Sequence, residues 1–214
     1  MFKKALVMVL LASPLAAHAS SLHFGDYFLK GAEQAPDDIY VVGETALFAG
    51  SVHGDVISVG RTNFSESDIT GDALFIGEEV SVKGLVGDDA RLFGGIVTLE
   101  GTVKDDVIAI ASKVIIAESA RIEGSLYVAG GEVEMRGTVS GDMKVASAAF
   151  RMSGVAQKDV EIWGKGTFEN GSRIGGDLIY HTRGKKAPPV NVTVTGKTIL
   201  DETRRGAGGS IVNP

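Results

Sequence analysis

Tyr127-Val128-Ala129-Gly130-Gly131-Glu132-Val133-Glu134-Met135-Arg136-Gly137-Thr138-Val139-Ser140-Gly141-Asp142 is the stretch that decides the fold. Val133-Glu134-Met135 alternates apolar and polar, the period-two mark of a strand with one buried face. The glycines on either side punctuate it as corners. The closing aspartate belongs to a series. Asp38, Asp55, Asp72, Asp89 and Asp106 recur every 17 residues. After a gap of 19, Ser125 takes the place, and Asp142, Asp159 and Asp177 follow. Self-similarity at a short fixed period predicts stacked repeats rather than a globular enzyme domain.

Counting 17 slots from each aspartate, slot 2 is always apolar (Ile39, Val56, Ala73, Val107, Leu126). Slots 9 and 11 are usually apolar with a polar residue between, as in Val80-Ser81-Val82 and Val97-Thr98-Leu99. Slot 15 is a third apolar position (Val52, Ile69, Val86, Val103, Val139). Slots 6 and 13 are mostly glycine, expected at corners that need positive φ. No helical period appears in the repeats. One unit is too short to bury its own apolar face, but stacked units bury theirs together. The fold expected is all-β: a single-domain parallel β-helix, or solenoid, of about nine coils over residues 38–200. Val97 and Val133 should point inward, and Thr98 and Glu134 outward. Two corners are lengthened, at Glu118–Gly124 by two residues and at Glu169–Gly176 by one. Val192-Thr193-Val194-Thr195-Gly196 reads as slots 9 to 13 of the last coil, arriving late because residues 183–189 form an inserted surface loop. Asn63-Phe64-Ser65, where apolar-polar-apolar is expected, reads as a bulge.

Residues 1–19 read as a secretory signal: Lys3 and Lys4, an apolar run from Ala5 to Ala12, and Ala17-His18-Ala19 before Ser20. The run is too short to span a bilayer, and no other segment is apolar enough to do so. Residues 20–37 are expected as a lead-in that caps the first coil, with Phe24, Tyr27, Phe28 and Leu29 folding over it. Residues 201–214 are a polar, Gly-rich tail. Losing Lys3 and Lys4 takes the formal charge from −6 to −8. An acidic chain disfavours nucleic acid and anionic membrane surfaces as partners. There are no cysteines, hence no disulfides or thiol chemistry. Export to the periplasm or cell surface is expected.

Val52-His53-Gly54-Asp55, Ile69-Thr70-Gly71-Asp72 and the stretch from Tyr127 to Asp142 resemble the bactofilin family of polymer-forming bacterial proteins, above all its exported relatives. The resemblance covers roughly residues 38–180. It implies a right-handed β-helix that assembles end to end and scaffolds cell-envelope processes, with no catalytic site. The signal segment departs from the cytosolic members, so the resemblance does not imply a cytoskeletal role inside the cell.

No set of residues is singled out as catalytic, cofactor-binding or metal-binding. The aspartates are expected to accept backbone N–H groups at their own corners rather than to hold calcium. Calcium-binding β-roll repeats carry several Asp and Gly per nine residues, against one Asp per 17 here. His53 and His181 lack sequence neighbours with which to act as ligands or bases. That also disfavours a left-handed β-helix acyltransferase, for which His181 is the sole candidate. The basic loop at 183–189 reads as solvated, and Phe93 and Trp163 as core or rim packing. The leading expectation is a non-catalytic structural rod that self-associates through its C-terminal end. A binding module for a glycan or an envelope protein is the second.

Overall fold

The computed structural model describes residues 20–181 and 190–201. The signal segment 1–19, the loop 183–189 and the tail beyond Asp201 lie outside them. The described residues contain strands and corners and no helix. All strand pairs are parallel, and they form two sheets, one of 14 strands and one of 10. The architecture is a β-solenoid of about ten coils.

One coil illustrates the five central ones, which share its ten-residue strand. In the coil from Asp72, Ala73–Val82 is a continuous strand of the larger sheet, and Leu85–Val86 belongs to the smaller one. Ala73, Phe75, Val80, Val82 and Val86 are fully buried, so slots 2, 4, 9, 11 and 15 line the core. The parity of the inward positions switches between slots 4 and 9, so the chain turns there although the strand is unbroken. Each slot stacks on its counterpart: Ala73 pairs with Ala90, Val80 with Val97 and Val86 with Val103. Apolar ladders therefore run the length of the rod. Val97 and Val133 are buried, while Thr98 and Glu134 lie on the outer surface as expected.

Several expectations need correction. Residues 21–35 are not a lead-in folded over the first coil. They are a coil themselves, pairing Ser21 with Ile39, Tyr27 with Ala46 and Ala35 with Val52. Only Leu29 of the four apolar residues expected to cap is buried; Phe24 and Phe28 project outward. This coil has no aspartate in its first slot, so the Asp periodicity misses it.

Asn63 and Ser65 make no bulge. They keep the register of Val80 and Val82 above and of Ala46 and Phe48 below, and both are buried. The space explains them. Phe48 and Phe75 belong to the flanking coils and approach to 5.7 Å between ring centroids. Small Ser58 and Ser65, stacked on those phenylalanines, leave room for the rings. Ser58 donates to Asn63 Oδ1, and Asn63 Nδ2 donates to the Ile76 carbonyl at 3.0 Å, so the amide stays bonded.

The late strand Val192–Val194 pairs with Ser172–Ile174 in the smaller sheet. It therefore fills slots 13 to 15, not 9 to 13, and Lys197 takes the aspartate position. The long corner at Glu118–Gly124 is present, since Arg121–Ile122 still pairs with Thr102–Val103. The coil from Asp159 gains one residue overall by losing one and adding two. The register shifts between Ser147 and Phe150, opposite Gly164 at φ 127°, and the corner after Phe168 holds the extra pair.

Candidate functional site

The aspartates form a column along one corner of the solenoid. Each Oδ1 does not cap its own corner. It reaches across to the next coil and accepts the backbone N–H of the next residue in the column. Asp38 accepts from Asp55 (2.9 Å), Asp55 from Asp72 (2.8 Å), Asp72 from Asp89 (3.1 Å) and Asp89 from Asp106 (3.1 Å). Asp177 accepts from Lys197 at 2.7 Å. The column is thus a seam of bonds joining coil to coil, formed at the corner where the sheet ladders stop.

The glycine before half of these aspartates has a matching reason. A Cβ at Gly71 or Gly176 would overlap Oδ1 of the aspartate one coil below. Where glycine precedes the donor (Gly54, Gly71, Gly124, Gly176, Gly196), the bond is 2.7–2.9 Å. Where Asp88, Asp105 or Lys158 precedes it, the bond stretches to 3.1–3.3 Å. The corner glycines also differ from expectation. Among the described glycines only Gly25, Gly164 and Gly171 have positive φ. At slot 13, Gly84 and Gly101 are needed because a Cβ would strike a carbonyl of the coil below.

Asp55 is held above the ordinary aspartate range, first by desolvation and then by the neighbouring carboxylates of Asp38, Asp72 and Asp88, against the pull of the Asp72 N–H. Further along, Arg91 relieves the column. Its guanidinium reaches Asp72 Oδ2 at 2.8 Å and Asp89 Oδ2 at 2.7 Å. Asp88, Asp89 and Asp105 bring carboxylate oxygens within 4.8 Å of one another. That cluster is surface-exposed in part and supplies carboxylates alone.

His53 is exposed on the face formed by the smaller sheet. His181 has the partners that its sequence neighbourhood lacks, delivered by the coils on either side. Nε2 lies 2.8 Å from Glu161 Oε1 and Nδ1 lies 2.9 Å from Asp201 Oδ2. Trp163 stacks on the imidazole at 4.8 Å with 4° between planes. Nε2 is hydrogen-bonded to Glu161, whereas the buried Nδ1 lies near the Asp201 carboxylate without making a hydrogen bond. The residues are 18 to 20 apart, one coil, and the coil register is the signal that would have joined them.

The surface itself divides by chemistry. The outer side of the strand over slots 8 to 12 is charged. Lys113 bridges Glu134 (3.1 Å) and Glu132 (3.6 Å), and Arg151 also approaches Glu134 at 3.7 Å. The Lys113 hydrogen bond, then the Lys113, Arg136 and Arg151 charges, hold Glu134 below the ordinary glutamate value. The smaller sheet shows mostly polar outer residues. The remaining face, slots 3 and 5, is apolar over most of the rod, with Arg91, Lys144, Glu161, His181 and Asp201 as its ionisable members. Ile57 and Val59 lead to Leu74 and Ile76, then to Ile108 and Ile110. Phe24 at one end is 70% exposed, Ile110 and Tyr127 in the middle 48% and 40%, and Ile199 at the other end 42%. Phe93 and Trp163 belong to this outer face, not to the core. The alternation within each strand reveals which residues share a side. It does not reveal that both sides of this one segment are apolar for different reasons, one of them facing out.

Between Ile110, Tyr127 and Trp163 the small Ala129 and Ala146 leave a shallow hollow of about 210 Å³. The charged groups on this face are neutralised within the chain: Arg91 by Asp72 and Asp89, and Lys144 by Glu161 at 3.9 Å. Contiguous exposed apolar area of this extent marks an interaction surface in most proteins. Compared with known proteins, the chain matches no family model, no curated protein and no solved structure.

Proposed function

We propose that this chain is an exported, non-catalytic structural rod of the bacterial cell envelope that joins copies of itself end to end. One observation carries the reading. The final strand, Thr198–Asp201, repeats slots 2 to 5 in register on Leu178–His181. The N–H of slot 2 bonds forward to the following coil: Leu178 N donates to the Lys197 carbonyl at 2.8 Å. The equivalent N–H of Thr198 therefore points past the rod, and among the described residues no strand lies beyond it. Such an edge is a template for another strand. The resemblance to bactofilins supports the same reading, and the signal-like residues 1–19 support export.

Leu200 packs against the core and Ile199 lies on the apolar face, so a change at either would disturb more than the end of the rod. Thr198→Pro is cleaner, because it removes the forward-pointing donor. Negative-stain microscopy and sedimentation should show chains of rods for the parent protein and single units for Thr198→Pro. Rods of one unit's length in the parent protein at every concentration would refute the reading. A second reading, a module that binds a glycan or an envelope protein, is favoured by the exposed apolar face.

A further inference from the structure

The apolar face of slots 3 and 5 stands apart from the rod's ends, and its occupant is a separate question. We propose that it pairs laterally with the same face of a second copy of this chain, about a two-fold axis. This does not rest on end-to-end assembly.

Size is the first argument. Ten coils at about 4.8 Å and four strand residues at about 3.3 Å make a strip of roughly 45 by 13 Å. Two such strips bury about 1,200 Å² together, within the range of specific dimers. Charge is the second. Arg91 is satisfied by Asp72 and Asp89. Lys144 pairs with Glu161 at 3.9 Å, His181 Nε2 is hydrogen-bonded to Glu161, and Asp201 lies beside the His181 ring. The charges on the face have partners within the chain, so an identical surface meets it without taking those partners away, the failure that would make burial costly. Lipid headgroups are the poorer match. The chain is acidic, at −6 overall, and the face's cations are already paired, so nothing on it attracts an anionic bilayer. Relief is the third argument. Ile110 and Tyr127 stand proud beside the hollow floored by Ala129 and Ala146. A side chain of the opposing copy fills that space, as a self-complementary contact requires. Rigidity is the fourth. Every strand carrying the face is paired on both sides, apart from the two at the rod's ends, so docking orders little chain.

The test is sedimentation of the purified chain against Ile110→Lys and, separately, Ala146→Lys, with Thr98→Lys on the ion-paired face as control. The parent and Thr98→Lys should be paired at about 50 µM, and each face variant should weaken association by about tenfold or more. Ala146 is exposed and small, so its replacement keeps the fold, and unchanged circular dichroism checks this. Thr198→Pro should shorten end-to-end chains yet leave the lateral pair, whereas Ile110→Lys should leave chains of single width. A parent protein that stays unpaired, or pairing that survives both lysine variants, overturns the proposal. An unpaired parent that floats with phosphatidylcholine vesicles would assign the face to lipid instead.

Discussion

Asp55→Asn should stabilise this protein, although Asp55 accepts a seam bond. Its Oδ1 takes the Asp72 N–H at 2.8 Å, and an asparagine Oδ1 keeps that acceptor in place. What changes is the charge. Neighbouring coils set carboxylates about 4.8 Å apart, where two unit charges repel by about 0.9 kcal/mol in water. Physiological salt cuts this to roughly half. Asp38 and Asp72 on either side together make the repulsion about 1 kcal/mol. The charged acceptor makes the stronger bond, which offsets part of this. The upward displacement of the Asp55 carboxyl says that desolvation and repulsion win. The expected gain is therefore up to about 1 kcal/mol, or roughly 2–4 °C in Tm for a chain of this size. Asp55→Ala removes the same charge but leaves the Asp72 N–H without its acceptor, so it should melt below Asp55→Asn by about 1 kcal/mol. The pH dependence follows from linkage. A carboxyl whose native pKa is raised lowers stability as pH climbs from the unfolded value through the native one. The advantage of Asp55→Asn should be full at pH 7 and vanish below about pH 4, where the parent carboxyl is protonated. Thermal melts of the three proteins at pH 7 and pH 3.5 decide it. If Asp55→Asn melts as low as Asp55→Ala at pH 7, the seam depends on the negative charge and the reasoning fails.

Val97→Asp buries an unpaired charge in a ladder that is fully enclosed, and should unfold several coils, whereas Thr98→Asp next to it should change Tm little; circular dichroism melts compare them. Gly71→Ala sets a Cβ against Asp55 Oδ1 and the Gly54 backbone and should cost about 1–3 kcal/mol in urea unfolding, while Gly171→Ala meets no neighbour and should show only the smaller strain of its positive φ. Glu134→Gln should lower Tm at pH 7. A carboxylate whose native pKa is depressed contributes above its unfolded value and loses that contribution as pH falls through the native one, so the difference from the parent should shrink as pH drops below the ordinary glutamate range.

The aspartate spacing and the apolar alternation were enough to establish a parallel β-solenoid, its inward ladders at slots 2, 9, 11 and 15, and the long corner before Gly124. These features repeat, and a repeat of one coil's length reports its own stacking, because identical slots must lie over one another. Features that do not repeat escaped. The first coil lacks the aspartate, and the last strand follows an interruption that hides its slot. Asn63 and Ser65 make sense only when Phe48 and Phe75 are seen to need their space. The seam bonds, the glycine clearance at Asp38, Asp55 and Asp159 and the cluster around His181 join residues 16 to 20 apart on adjacent coils, and coil contact alone decides them. The apolar outer face is the clearest case. Leu74 and Phe75 are equally hydrophobic and adjacent, and only the closure of the coil sends one into the core and leaves the other facing solvent. Hydrophobicity is a property of the residue, but burial is a property of the whole stack.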